Sequence, residues 1–301
     1  MERPHLFLLK IARGPVGSPC FKQVQKLNQM GNLRSLAFRF YWRMEKLIVP
    51  RLRNSQYDYR ARLESLIGTG ANWLDMGCGH SILSPWMSDS AEVERMLIGR
   101  TKITIGSDFS YQSLCRHRSI QKRTVADIEH IPFKDNSFDL VSANMVMEHI
   151  QNPKAALTEI TRVLKPGGLF IFHTVNYRNY LFRLSAWAPQ ALKNKLIWIL
   201  EGRKEEDVFP VAYRFNTPKE VVDESMRCGL DIREISLLNS TPATALLGPL
   251  AIPELLITKA LEYEAARDYR ANIIGVLQKP DLPAQPAFDP ERRNETTFVV
   301  R

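Results

Sequence analysis

The sequence predicts an α/β fold built on a mostly parallel sheet, and three observations predict it. Short apolar runs of β character recur between stretches of helical periodicity. Repeated strand–helix–strand succession implies parallel pairing through right-handed crossovers. The chain has 301 residues, 45% of them hydrophobic, which is enough to bury the core of one such domain with an appendage.

Residues 1–56 read as an irregular, basic lead-in with one aromatic stretch, Phe38–Met44. A short helix follows, capped by Asp58 and ending near Leu66. Ala71–Met76 is the first strand and closes on a Gly turn. Lys102–Ser107, Thr124–Ala126, Phe138–Asn144 and Leu169–Val175 are the next four strands. The helix Pro153–Leu164 opens with Asn152 as cap and Pro153 at its first position, and Lys165-Pro166-Gly167-Gly168 stops it.

After Asn176 the alternation breaks, and residues 177–216 read as an aromatic, basic insertion. Thr217-Pro218-Lys219-Glu220 opens a helix with a capping box. Gly229 ends that helix, and Leu230–Leu238 is a sixth strand. Residues 240–257 are strongly apolar but broken by Pro242, Pro249, Pro253 and Glu254. A helix then runs from Glu254 to about Arg267, and Ala271–Leu277 is the seventh strand. The expected layout is a basic extension at 1–56, a main domain at 57–278 and a Pro-rich, extended tail at 279–301.

Composition narrows the function classes. Cys20, Cys78, Cys115 and Cys228 form no C-x-x-C pair, which suits free thiols in a reducing compartment. The six histidines make no H-x-x-x-H pair, so no metal site is expected. No run approaches the roughly 18 apolar residues of a membrane span. Met1–Pro15 lacks a cleavage site and is not read as a signal peptide. These features together point to the cytoplasm. The net charge of +9 is uneven: residues 1–70 hold 13 Lys+Arg against 4 Asp+Glu, and the remainder balances. Such an arm is either a solvated extension or a surface for phosphates or anionic lipid headgroups, and together with the Pro-broken apolar stretch 242–257 it suggests peripheral membrane contact.

Three pieces carry chemistry. The first is Asp75-Met76-Gly77-Cys78-Gly79. Two glycines past a strand let a backbone approach a ligand where a Cβ would clash. A dinucleotide fingerprint needs a third Gly where Ile82 stands. A carboxylate at Asp75 would repel a diphosphate and attract an ammonium or sulfonium. The second piece is Asp108, after the second strand, able to accept both hydroxyl protons of a ribose or to cap a helix. The third is Asp127, followed by Ile128. Its carboxylate can accept from an adenine amino group and the Ile128 N–H can donate to a ring nitrogen; Asp127 also suits a turn.

In that order and at that spacing, Asp75-x-Gly77-x-Gly79, Asp108, Asp127, Pro132-Phe133…Ser137-Phe138-Asp139, Glu148-His149 and Leu164-Lys165-Pro166-Gly167-Gly168 resemble the class I S-adenosylmethionine-dependent methyltransferases, in particular the group related to quinone-biosynthesis methyltransferases. The resemblance is tight over 57–176 and loose over 217–278. It implies a Rossmann-like three-layer sandwich whose seven-stranded sheet has its last strand antiparallel, and S-adenosylmethionine as cofactor. It implies Gly77, Cys78 and Gly79 at the methionine portion, Asp108 and Phe109 at ribose and adenine, Asp127 and Ile128 at the adenine, and Asn144 and Met145 near the sulfonium. Ser81 stands where the family often has a third Gly. Arg60, just ahead of the first strand, is a candidate partner for the methionine carboxylate.

Methyl transfer is an in-line displacement that needs alignment and exclusion of water. An oxygen or nitrogen acceptor also needs a base, for which His149 is the candidate and His173 a weaker one. The acceptor falls to residues that depart from the shared core: Asn176 and Tyr177, then Tyr213, Arg214 and Asn216. A small molecule, lipid- or glycan-linked, is the acceptor expected. An RNA or protein acceptor is the alternative, weakened because Asn144-Met145-Val146-Met147 is not an Asn-Pro-Pro-Tyr motif. A catalytically inactive cofactor-binding member is the other alternative, and the intact Gly77, Gly79 and Asp108 stand against it. DNA is not expected as a partner.

Overall fold

The computed structural model describes residues 31–187, 211–240 and 248–281. The calls on the remaining residues, including Cys20, most of the 177–216 insertion and the Pro-rich tail, lie outside the described residues. Two compact units appear: 31–52 with 248–260, and the larger one holding the other described residues.

In the larger unit seven strands form one sheet in the order β3-β2-β1-β4-β5-β7-β6. They are β1 (Asn72–Met76), β2 (Ile103–Asp108), β3 (Lys122–Val125), β4 (Phe138–Asn144), β5 (Leu164–Val175), β6 (Asp231–Leu238) and β7 (Asn272–Gln278). The first five pair in parallel. β7 runs antiparallel between β5 and β6. This is the expected fold, with the last strand reversed.

Period-2 burial sorts the strand residues onto two faces. Leu74, Met76, Val141, Ala143, Phe170 and Phe172 meet one helical layer, α5 (Pro153–Val163) and α7 (Pro218–Arg227). Trp73, Leu140, Ile171, Ile274 and Val276 meet the other, α2 (Ser55–Leu66) and α3 (Ser90–Arg100). α5 follows the sequence rules closely. Asn152 accepts from the Ala155 N–H at 3.2 Å, and Ala156, Leu157, Ile160 and Val163 make its buried stripe. The capping box on α7 forms through Thr217 and Glu220.

Four local readings are corrected. Asn54, not Asp58, caps α2, accepting from the Gln56 N–H at 3.0 Å; the side chain two residues before the donor reaches it, whereas Asp58 already lies in the first turn. The lead-in is not irregular throughout: Gly31–Ile48 is the helix α1. Lys165–Gly168 does not merely stop α5 but bulges within β5, where Gly167 donates to Lys279 O at 2.9 Å. The helix drawn from Glu254 to Arg267 is split into α8 (Ile252–Ala260) and a 3₁₀ turn, Glu264–Tyr269. Two shorter helices among the described residues of the larger unit are α4 (Tyr111–Cys115) and α6 (Tyr180–Trp187). Among the described residues no helix is long and apolar enough to cross a membrane.

Candidate functional site

The carboxyl ends of β1, β2 and β4 converge, because Met76 lies beside Ser107 on one side and Ala143 on the other. Open α/β sheets bind ligands at this edge. Here the chain leaves β1 through Gly77-Cys78-Gly79, with Gly77 at φ 61° and Gly79 at φ 52°. The two glycines are required for different reasons. A Cβ on Gly77 would lie 2.3 Å from Val146 Cγ2, so the first Gly admits the loop after β4. A Cβ on Gly79 would meet nothing within 4 Å. The second Gly therefore borders open space, which a ligand backbone contact can use.

Asp108 ends β2 and ties this turn to the next loop. Its carboxylate accepts from the Gly79 N–H at 2.8 Å and from the Ser110 N–H at 2.8 Å. A carboxylate has about four acceptor positions, so hydroxyl partners can still be taken. Phe109 beside it is 76% exposed, an aromatic face with no protein cover. Asp127 is exposed and closes a turn, accepting from the Glu129 N–H at 2.9 Å, while the Ile128 side chain is buried in the core. Only the Ile128 backbone can serve a ligand.

Asp75 sits beneath the turn, fully buried. It accepts from Ser142 Oγ at 2.5 Å, and Ser142 Oγ accepts from Trp73 Nε1 at 2.7 Å. Burial pushes its carboxyl up to about 7, opposed by the Ser142 hydrogen bond and reinforced by Glu94 and Asp108. The Cys78 side chain faces the core, its sulfur filling the space left by Gly106, and burial raises its thiol pKa. Any ligand contact from Cys78 is through its backbone.

Arg60 departs from its expected role. Its Nε donates to Glu64 at 2.6 Å and an Nη donates to Asp89 at 2.8 Å. Two carboxylates hold the guanidinium, so a bidentate grip on a third would have to displace one of them.

Asn144 and Met145 end β4. Met145 takes a left-handed φ of 59° and donates its N–H to His173 O at 2.8 Å, leaving its side chain partly exposed. The Asn144 amide is committed to a cluster. It exchanges two hydrogen bonds with the Gln56 amide, at 3.0 and 3.1 Å, and its Oδ1 lies 3.0 Å from His173 Nδ1. His173 stacks on Tyr59, with centroids 5.8 Å apart, and burial lowers its pKa to about 4. Burial thus favours its neutral form. His149 lies on a 3₁₀ turn, Met147–His149, just after β4 and is half-buried.

The acceptor candidates divide. Asn176 is buried and donates to Asp268 O and Arg270 O, both at 2.8 Å, while its Oδ1 accepts from the Arg178 N–H at 3.0 Å. Asn216 is buried and donates to Thr174 Oγ1 and Val175 O, both at 2.8 Å. Both pin backbone at the sheet edge, and Asn216 Oδ1 is buried without a hydrogen-bond partner. Polar residues just past strand ends serve orphaned backbone groups as readily as ligands. Tyr177 and Tyr213 instead face each other, 4.9 Å between rings, with Phe182 6.0 Å from Tyr213. Ala212 and Tyr213 both donate N–H groups to Glu148 O, at 2.8 and 3.2 Å, which seats this aromatic group beside the His149 turn. Arg214 is exposed and donates to Gln151 O at 3.0 Å.

Sequence reading missed several supports. Glu94, fully buried, accepts from the Leu83 N–H, from Arg118 and from Ser119 Oγ, and so fixes the loop that follows the Gly turn. Buried Glu148 accepts from Thr174 Oγ1 at 2.8 Å. Gln56 was invisible because its partners lie 88 and 117 positions away. A separate concavity of about 400 Å³, walled by Gly68, Asn72, Lys102 and the Asp139–Lys165 pair, lies at the opposite edge of the sheet and holds none of the cofactor-site candidates. Among the described residues no cluster of His, Cys, Asp and Glu could hold a metal.

The chain is similar to several known proteins. A methyltransferase domain model matches residues 74–172. A ubiquinone biosynthesis O-methyltransferase of Marinobacter nauticus is 24% identical over 176 residues, covering 58% of this chain and 70% of that protein. An arginine-hydroxylase of Danio rerio (NDUFAF5, mitochondrial) is 33% identical over 132 residues, 40% of this chain, and the match spans only 38% of its length. Among solved structures, an S-adenosylmethionine-dependent methyltransferase from Mesorhizobium loti aligns with a TM-score of 0.47 at 18% identity, over 74% of this chain and 97% of that one.

Proposed function

The chain belongs to the class I S-adenosylmethionine-dependent methyltransferases, and from that premise we propose that it transfers a methyl group to a small-molecule acceptor held by an aromatic wall. One observation carries the reading: the left-handed Gly79 borders open space, with its N–H fixed on Asp108 and the exposed Phe109 next in line. That surface fits a nucleoside. Backbone at Gly77-Cys78-Gly79 would carry the methionine portion, Asp108 the ribose hydroxyls, and Phe109, Asp127 and the Ile128 N–H the adenine. S-adenosylmethionine, when bound, supplies an electrophilic methyl on a cationic sulfur.

The chain's own residues do the rest. The ionised form of Asp75, beneath the turn, supplies a negative field for a bound cation. Met145, held in its left-handed conformation through the His173 carbonyl, orients the loop after β4 toward the reacting centre. Tyr177 and Tyr213 would stack on the acceptor and exclude water, with Arg214 at the rim. For an oxygen or nitrogen acceptor, His149 would take the proton. The relatives' names point to different chemistries, and the Tyr177–Tyr213 pair is the feature that favours a small-molecule acceptor.

The test has two stages. Calorimetry should give heat with S-adenosylmethionine and with its demethylated product; silence with both on folded protein removes the proposal. Incubation with methyl-labelled donor and a metabolite and lipid extract should then yield a labelled small product by mass spectrometry. Label appearing only in RNA or protein would overturn the small-molecule acceptor while leaving donor binding intact.

A further inference from the structure

The smaller unit carries a surface that methyl transfer does not use. α1 and α8 pack through Tyr41, Val49, Ala251 and Leu255. Their remaining faces follow an unusual rule. From residue 249 to 260 the exposed residues are Pro249, Leu250, Pro253, Leu256, Ile257, Lys259 and Ala260, six apolar and one basic. Leu250 is 73% exposed and Leu256 55%. The acid of that segment, Glu254, is turned inward with Thr258. α1 and the chain just past it repeat the pattern. Arg39, Arg43, Lys46, Leu47, Pro50 and Arg51 are exposed, whereas Glu45 is buried and accepts from the Tyr41 hydroxyl. Every described acid of this unit is thus inside, and its described surface consists of cations and apolar groups.

We propose that the exposed apolar side of the 249–260 segment docks the protein on an anionic phospholipid bilayer, with Leu250, Leu256 and Ile257 entering the interface and the unit's unopposed cations, Lys259 with Arg43, Lys46 and Arg51, drawing it to headgroup charge. Charge decides among occupants. A second copy would bring the same cations into contact with these. Residues 1–30 hold five Lys+Arg and one acid, so that segment would add like charge. An anionic bilayer complements both features, since interfacial binding sums apolar burial with attraction of basic groups to the leaflet.

Flotation of the full-length chain tests this with vesicles of phosphatidylcholine alone and with about 30 mol % phosphatidylserine. Wild type should float with the anionic vesicles at least roughly tenfold better than with the neutral ones, and lose most of that binding in high salt. The double variant Leu256→Glu/Ile257→Glu alters exposed positions only. It should lower binding by about tenfold or more, with donor calorimetry and circular dichroism unchanged. Met226→Glu, an exposed apolar site on α7 of the other unit, should float like wild type. Absence of wild-type flotation with the anionic vesicles overturns the proposal. So does flotation that the double variant keeps, or a wild-type dimer in sedimentation that the double variant dissociates while vesicle binding persists.

Discussion

The two halves of the sheet edge treat their polar residues differently. Around β1 and β2, Gly77, Gly79 and Asp108 face one another across the turn, and Gly79 borders open space. Beyond β5, Asn176 and Asn216 look equally like site residues in sequence, yet both are buried and their amide N–H groups are taken up by the end of β5 and the loop before β7. In the first half, buried or capping carboxylates, Asp108 and Glu94, take up the free N–H groups of the turn and the loop after it, and leave the Gly79 side open. The second half must hold a long irregular connection against the reversed strand β7, and side-chain amides supply the missing partners. A polar residue past a strand end is read as a ligand contact only after its neighbouring carbonyls are accounted for.

The largest effect that separates the halves should come from Gly77→Ala. The new Cβ collides with Val146 and the residue keeps a left-handed φ, so a loss of about 3 kcal/mol of folding stability is expected by chemical denaturation. Val146→Ala in the same chain should recover part of it; no recovery would mean that the clash is not the cause. Next, Asn176→Ala should cost about 2–3 kcal/mol, since it strands two carbonyls and the Arg178 N–H. Calorimetry of that variant should show unchanged donor affinity. A selective loss of acceptor turnover in a still-stable variant would return Asn176 to the site and dissolve the contrast.

Legibility in sequence followed the same division. α5 was readable because its cap, its Pro and its apolar spacing are all local. The Gly turn was readable because few residue types adopt a left-handed φ. Gln56, Glu94 and Glu148 were not, because their meaning depends on partners far along the chain: Gln56 on Asn144, Glu94 on Leu83 and Arg118, Glu148 on Thr174. Arg60 was readable as a cation but not as one already held by Glu64 and Asp89. The α1 helix was missed because its apolar residues are interleaved with arginines and its partner α8 lies about two hundred positions away.

Tyr213→Ala addresses the acceptor side. Tyr213 holds a left-handed φ of 51°, and burial together with Glu148 and Tyr177 raises its phenol pKa, so it is neutral near pH 7. Removing its ring takes away one face of the Tyr177–Tyr213 pair. Acceptor KM should rise roughly tenfold, with donor affinity unchanged. An equal loss of donor affinity would place Tyr213 on the cofactor half instead.

The smallest effect probes the ground between the halves, at Asp75. Its carboxyl titrates near 7 in the ligand-free protein, because burial disfavours its charge. The unfolded chain releases that proton near its ordinary value of about 4. A folded pKa above the unfolded one means that the associated stability is full in acid and is lost as pH rises toward 7. A bound cation reverses the preference, because it favours the ionised form. Donor affinity should therefore climb with pH, by about threefold between pH 6.5 and 7.5, following the ionised fraction of a group titrating near 7. Asp75→Asn should flatten that climb and also remove the decline in melting temperature over the same interval. Its Ser142 and Trp73 partners remain, so the fold should persist. If donor affinity of wild type does not rise over this interval, or if Asp75→Asn climbs as steeply, the buried carboxyl exerts no field on the ligand, and the attraction between this turn and a sulfonium must come from backbone carbonyls alone.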